Sequence, residues 1–352
     1  MNTGIVTVYN IENCGSCLQA FALSNIIENM GHQVSFIKLS KRGTTHTISH
    51  HVIESMKRIV KLRFSEVPIE WKRYKAFCKI QKLFTETAEN SSAMDKIDCI
   101  ILGSDTIWNI DAKRFNNEMD LFFGLRFPEK KVISYAVSIA NTPKEKFINN
   151  KKAIQGAKKL ADISVRDNAT YDMVKNVFNI NPTMVCDPTL LLGKDDYNFL
   201  IKDKKAFSDS PILIYYFGNL PTETIEKIKV LKKKIGKKII SFGQYRKWCD
   251  INLPYDPYLF IQCYRDCSFV ITNTYHGTIF SLIYEKNFAD YGQGKKKIEH
   301  LLGSMGAENA FADNNDDLTL FYTDRLNYNV INKKITEQQN ISMEFLKRNL
   351  NN

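Results

Sequence analysis

The sequence has no long apolar run. No window of 18 consecutive apolar residues occurs among its 352 positions, and a membrane-spanning helix needs about 20. The opening MNTGIVTVYN lacks the cationic stretch and apolar core of a secretory leader. Glycine and proline are scarce, 16 and 9, which excludes collagen-like, linker-rich and largely disordered chains. There is no Walker A loop and no complete GxGxxG. No helix-turn-helix, RRM, KH or zinc-finger signature is present, so nucleic acid is not an expected partner. The Cys14-x-x-Cys17 pair has no second CxxC or nearby His to complete a zinc set, and packing is its expected role, with a redox dithiol the alternative its spacing allows. No metal and no cofactor are expected. With no leader, the protein is expected in the cytoplasm, its eight Cys reduced and acting as small apolar residues.

What is present is ordinary globular composition: 44% hydrophobic, 25% charged and 12% aromatic. At about 150 residues per domain, the length suggests two domains. Lys and Arg exceed Asp and Glu by 49 to 38, a net charge of +11. Such a surface favours anionic partners, among them phosphorylated metabolites, lipid-linked phosphates and an anionic membrane face.

Short β-branched runs alternate with helical periods, the pattern of parallel-sheet α/β units. Strands are predicted over 4–8, 33–37, 98–102, 132–137, 163–165 and 183–185, with helices over 15–30, 144–159 and 171–178. Gly31 is expected to end the first helix. A second unit starts near Pro211, with strands over 212–217, 238–242 and 268–272 and helices over 222–235, 256–264 and 276–284. The expected division is 1–200 for an N-terminal Rossmann-like domain and 205–310 for a C-terminal one. The remainder, 311–352, is expected to include a polar helix over 337–350 that packs back on the first domain. Residues 41–95, basic and aromatic with His46, His50 and His51, read as a helical excursion of that domain.

Open parallel sheets bind ligands beyond the carboxyl ends of their strands, so polar residues directly after strands are the candidates. Asn10 lies in the loop after the first strand. Gly103, Ser104 and Asp105 follow the strand 98–102. Here Gly103 permits a tight turn, and the carboxylate of Asp105 can hold a sugar hydroxyl or take a proton, or else cap a helix. Arg166 follows 163–165 and can grip a carboxylate or phosphate bidentately, or else pair on the surface with Asp167. Asp187-Pro188 reads as a turn. After 268–272, Asn273 and Thr274 can cap a helix whose first turn holds His276, Gly277 and Thr278. That convergence of hydroxyls, N–H groups and an imidazole suits phosphate binding with proton transfer. His46 and His50 are spaced i,i+4 without a metalloprotease Glu, and Cys263 and Cys267 share that spacing and are expected to pack.

Taken together, NCGSCLQAFAL (13–23), DCIILGSDTIWN (98–109), SYAVSIA (134–140), ISVRDNATYDMV (163–174), VCDPTLLL (185–192) and VITNTYHGTIFSLIYEKNF (270–288) resemble the polysaccharide pyruvyl transferase family. The resemblance implies a GT-B-like fold with its active site in an interdomain cleft. It also implies transfer of pyruvate from phosphoenolpyruvate to two hydroxyls of a glycan sugar, forming a ketal. In that scheme His276 is the acid/base, Arg166 serves phosphoenolpyruvate, and Asp105 orients the sugar. The acceptor would be a sugar or a lipid-linked oligosaccharide, with peripheral association at the inner membrane face. The family has an Arg two residues before the His; here that position is Thr274, and Arg246 or Lys295 to Lys297 are the nearby cations that could stand in. The same residues would also suit a glycosyltransferase using a nucleotide sugar, or a non-catalytic member that binds a glycan or a partner.

Overall fold

In the computed structural model, which describes residues 1–39, 48–112, 118–201 and 206–351, the chain forms two compact units. One comprises Met1–Thr45, Lys79–Leu192 and Thr336–Asn352; the other comprises His46–Cys78 and Gly193–Ile335. Of residues 41–95, read from sequence as an excursion of the N-terminal domain, the described residues 48–78 group with unit 2 and 79–95 with unit 1.

Unit 1 is built on seven parallel strands: β1 (Asn2–Val6), β2 (Gln33–Ile37), β3 (Glu86–Thr87), β4 (Cys99–Leu102), β5 (Lys131–Val137), β6 (Asp162–Val165) and β7 (Thr183–Met184). Their spatial order is β3-β2-β1-β4-β5-β6-β7. The Cys-Ile-Ile-Leu run of β4 is wholly buried, as expected where helices cover both faces of a parallel sheet. β1 ends earlier than the sequence suggests, because Thr7 turns out of the ladder and donates its hydroxyl to the Ser104 carbonyl at 3.0 Å. The helix expected over 144–159 is two, Glu145–Ile148 and Lys151–Lys159. Asn150 causes the break by accepting the Ala153 N–H at 3.1 Å as an N-cap.

Unit 2 is built on five parallel strands: β8 (Ile212–Tyr215), β9 (Ile239–Phe242), β10 (Ile251–Leu253), β11 (Phe269–Thr272) and β12 (Phe288–Asp290). Their order is β10-β9-β8-β11-β12. Ile212, Ile214, Ile239, Phe269 and Ile271 form its core with Ile228 and Leu231 of the helix Thr222–Ile235. β10 and β12 are three residues each, too short to show a period in the sequence.

The terminal helix runs Tyr328–Leu350, starting nine residues before the expected 337. Its residues from 336 onward belong to unit 1. There Ser342 Oγ accepts the Cys186 N–H at 2.9 Å, and Gln339 donates to the Leu190 carbonyl at 2.6 Å.

Both strand orders reverse once. In unit 1 the reversal lies between β1 and β4, and in unit 2 between β8 and β11. Such switch points open a crevice at the carboxyl ends of the two strands involved. The residues after β1, β4, β8 and β11 are therefore the ones the fold offers to a ligand.

Candidate active site

At the β1/β4 switch point, Gly103 leaves β4 with φ +126°, and a Cβ there would lie 2.2 Å from the Tyr135 carbonyl oxygen. Only glycine fits both demands. Asp105 follows with φ +74°, and Ala136 and Ala140 near the end of β5 also hold positive φ. Ala136 lies where the β5–β6 register shifts. Strained backbone of this kind persists where the surrounding structure fixes it, and it concentrates at ligand sites.

Asp105 is 7% exposed. Its Oδ2 accepts the Ser16 hydroxyl at 2.6 Å, and its Oδ1 accepts the Thr106 N–H at 2.7 Å. Arg166, after β6, reaches Asp105 Oδ1 with Nη2 at 3.5 Å and Ser104 Oγ with Nη1 at 3.2 Å. The same Nη1 donates to Asp187, whose other oxygen accepts the Thr189 N–H and hydroxyl at 3.0 and 2.6 Å. The Arg166 side chain is 1% exposed and that of Asp187 is fully buried. The ion pair suggested for Arg166 is thus buried and made with Asp187 and Asp105. Asp167 instead caps the helix Asn168–Met173 through Thr170. Among the described residues 106–112 no helix follows Asp105, and its Oδ1 accepts the N–H of the very next residue rather than capping one. Asn10 lies half-buried in the loop after β1.

At the β8/β11 switch point, Asn273 spans the two strand ends. Its Oδ1 accepts the Phe217 N–H at 2.9 Å, and its Nδ2 donates to the Phe217 carbonyl at 3.0 Å. Thr274 is the N-cap of the helix Tyr275–Ile283, accepting the Gly277 N–H at 3.0 Å. His276 therefore stands in the first helical turn, where backbone N–H groups point outward and favour anions. A Cβ on Gly277 would lie 2.1 Å from Thr272 Oγ1. Thr278 donates to the Thr274 carbonyl or to Asp290, the last residue of β12. Lys295 Nζ donates to the Asn273 carbonyl at 2.6 Å, and burial holds its ammonium below the usual lysine range. Lys297 Nζ lies 5.3 Å from the Tyr275 ring centroid, and that ring is 5.5 Å from the His276 ring.

The other candidates are accounted for differently. Arg246 donates to the Tyr216 and Gly218 carbonyls at 2.9 and 3.0 Å, which ties it to backbone. Cys14 and Cys17 lie buried in the first turn of the helix Cys14–Asn29, and Cys17 donates to the Tyr9 carbonyl at 3.3 Å. Burial pushes the Cys17 thiol far up, away from thiolate chemistry. Cys263 and Cys267 are buried. His46 lies outside the described residues, while His51 Nδ1 pairs with Glu70 at 2.9 Å. Sequence reasoning passed over Ser16 and Asp290 and took Asp187 for a turn. Asp187 carried the same signal as Asp105, an acid following a strand legible in the sequence, whereas Asp290 ends the three-residue β12, which the sequence does not show.

Two parallel Rossmann-like sheets, each with polar residues gathered at its switch point, define an α/β protein with a GT-B-like fold. Solved structures agree. A candidate UDP-N-acetylglucosamine 2-epimerase from Listeria monocytogenes is similar at TM-score 0.58 and 9% identity, covering 98% of this chain and 94% of its own. UDP-GlcNAc 2-epimerase from Neisseria meningitidis, bound to UDP-GlcNAc, gives 0.57 and 9%, covering 98% and 100%. The S. aureus MnaA–UDP co-structure gives 0.52 and 10%, covering 100% and 97%. At such identities the likeness concerns the fold alone. No curated protein matches the chain. The model of the polysaccharide pyruvyl transferase family matches residues 13–289, and the chain belongs to that family. The matched stretch contains Asp105, Arg166, Asp187 and His276.

Proposed function

We propose that the protein transfers the pyruvyl group of phosphoenolpyruvate to two hydroxyls of one sugar, forming a ketal and releasing phosphate. The observation that carries this reading is the family match across 13–289, which takes in Asp105, Arg166 and Asp187 of unit 1 and Asn273, Thr274 and His276 of unit 2 and ends before Lys295 and Lys297. Phosphoenolpyruvate is doubly anionic in kind, with a carboxylate and a phosphate. The surroundings of His276 suit it: a helix N-terminus together with Lys295 and Lys297. The surroundings of Asp105 do not, because two carboxylates share one guanidinium there. That unit 1 cluster suits neutral hydroxyls. Arg166 is accordingly assigned to holding Asp105 in place rather than to gripping the donor.

In the reaction, His276 gives a proton to the methylene carbon of phosphoenolpyruvate, making the neighbouring carbon electrophilic. A sugar hydroxyl bonds to that carbon and loses its proton to a base, with Asp105 orienting the acceptor. The C–O bond to phosphate breaks, and phosphate leaves with its electron pair. A second hydroxyl then attacks the same carbon and loses its proton, which closes the ketal. Two hydroxyl protons are released and one is taken up by carbon.

The test is phosphate release from phosphoenolpyruvate by the purified protein, screened against glycan and lipid-linked sugar acceptors. His276→Ala should lower turnover by about 10²–10⁴. Near-normal turnover in that variant removes His276 from the role. Glycosyl transfer from a nucleotide sugar, with phosphoenolpyruvate inert, replaces the reading altogether.

A further inference from the structure

The helix Ile48–Val60 of unit 2 is turned inside out. At 3.6 residues per turn, one side of it carries His51, Ser55 and Arg58. His51 and Ser55 are buried. His51 Nδ1 and Arg58 Nη2 each meet a carboxylate oxygen of Glu70 at 2.9 Å, and Glu70 belongs to the neighbouring helix Val67–Gln81. The rest of its surface, an arc of about 140° beside that side, carries Ile48, Val52, Ile53, Met56, Ile59 and Val60, exposed by 37% to 82%. Leu62 and Phe64 follow directly, at 78% and 58%. A surface helix of a globular protein buries its apolar stripe and shows water its polar one. Single exposed aliphatics are commonplace, but eight together between positions 48 and 64 form a patch that calls for a covering partner.

The charges around the patch indicate which partner. Residues 48–78 contain seven Lys and Arg against three Glu. Glu66 and Glu70 are buried, and Glu54 is paired with Lys57 and Arg58. Lys57 and Lys61, in the helix and just after it, and Arg63, between Leu62 and Phe64, are exposed. The patch therefore sits beside cationic side chains, and its acids are turned inward or neutralised. Two copies meeting through this face would set like charges against each other. An anionic bilayer offers acyl chains for the aliphatics and phosphates for the lysines.

We propose that the Ile48–Val60 helix and the adjoining Leu62 and Phe64 form a membrane-docking surface. The helix would lie in the plane of the interface, its apolar side in the headgroup–acyl boundary of an anionic leaflet. The proposal is independent of pyruvyl transfer, and its test uses neither donor nor acceptor sugar.

The full-length chain is floated with phosphatidylcholine vesicles, with and without phosphatidylglycerol. Binding is expected to the anionic vesicles and to weaken with salt. A triple variant, Ile53→Ser, Met56→Ser and Val60→Ser, should lose at least about tenfold in partitioning, with an unchanged melting temperature because the three residues face solvent. Lys57→Glu with Lys61→Glu should each cost about fivefold or more. Failure of the wild-type chain to float overturns the proposal, as does a triple variant that floats like wild type. A wild-type dimer that the triple variant renders monomeric reassigns the face to a second copy of the chain.

Discussion

Thr278 has one hydroxyl proton and two acceptors, the Thr274 carbonyl at 2.9 Å and a carboxyl oxygen of Asp290. If Asp290 is ionised, the Thr278 hydroxyl donates to it and the Thr274 carbonyl keeps the Thr278 N–H at 2.9 Å. If Asp290 carries a proton it donates to Thr278 Oγ1, which passes its own proton to Thr274, and every group is satisfied. Burial favours the second arrangement, pushing the Asp290 carboxyl up from 3.8 to about 6, against the opposing Thr278 and Gly292 hydrogen bonds and the charge of Lys295. The linkage follows from that direction. Between about 4 and about 6 the folded chain holds a proton that the unfolded chain has released. The contribution is thus complete below about pH 4 and lost as pH rises through about 6. Relative to Asp290→Asn, the wild type should lose about 2 kcal/mol of stability between about pH 4.5 and pH 7.5, measured by urea unfolding at both values. A pH-independent difference would mean that Asp290 is ionised throughout.

At the level of the element, two glycines in helices give opposite forecasts. Glycine in a helix interior costs about 1 kcal/mol against alanine. Gly303, in the helix Lys296–Met305, has only the flexible tip of Glu308 within reach of an added Cβ, at 3.7 Å. Gly303→Ala should therefore stabilise by about 0.5–1 kcal/mol. In the helix Tyr275–Ile283, a Cβ at Gly277 would meet Thr272 Oγ1 at 2.1 Å and Thr274 Oγ1 at 2.4 Å. Gly277→Ala should destabilise by about 1–3 kcal/mol despite the better propensity, because the strand end and the cap must both shift. Denaturant midpoints of the two variants, read side by side, check the signs.

What was legible in the sequence divides along the same line. Gly277 and Thr274 stood out because a cap, a strand end and a helix start fall within seven residues, and local chemistry fixes them all. β2 and the helix Thr222–Ile235 were predicted to the residue for the same reason. Asp187 was read as a turn because Asp-Pro makes turns, while its partner Arg166 lies 21 positions away and only the sheet brings them together. The Ile48–Val60 helix was legible as helical but not in its orientation. Its periodicity says which side is apolar but not that the polar side faces inward, which depends on Glu70 of another helix.

For the molecule as a whole, the two units make the assignment of donor and acceptor separable. The groups assigned to phosphoenolpyruvate, His276, Lys295 and Lys297, belong to unit 2, and the Asp105–Arg166–Asp187 cluster belongs to unit 1. A ligand stabilises the part of the chain that binds it. At about 100 times its dissociation constant the gain is about 2.7 kcal/mol, a roughly hundredfold slowing of exchange through the openings it suppresses. Hydrogen exchange followed by peptide should show that slowing with phosphoenolpyruvate alone in β11 and the helix Tyr275–Ile283. The smaller effect should fall on β4, β6 and the residues after them. Protection confined instead to 103–106 and 164–167 would mean that the guanidinium of Arg166 leaves its two carboxylates for the donor, and the assignment of roles would be reversed. Protection by UDP with none from phosphoenolpyruvate would mean that the nucleotide-binding use of this fold is the one retained here. The basic excess of the chain adds a check, since an anionic donor held by Lys295, Lys297 and a helix N-terminus should bind more weakly as salt rises. Protection that ignores ionic strength would argue for a ligand held by hydroxyls rather than by charge.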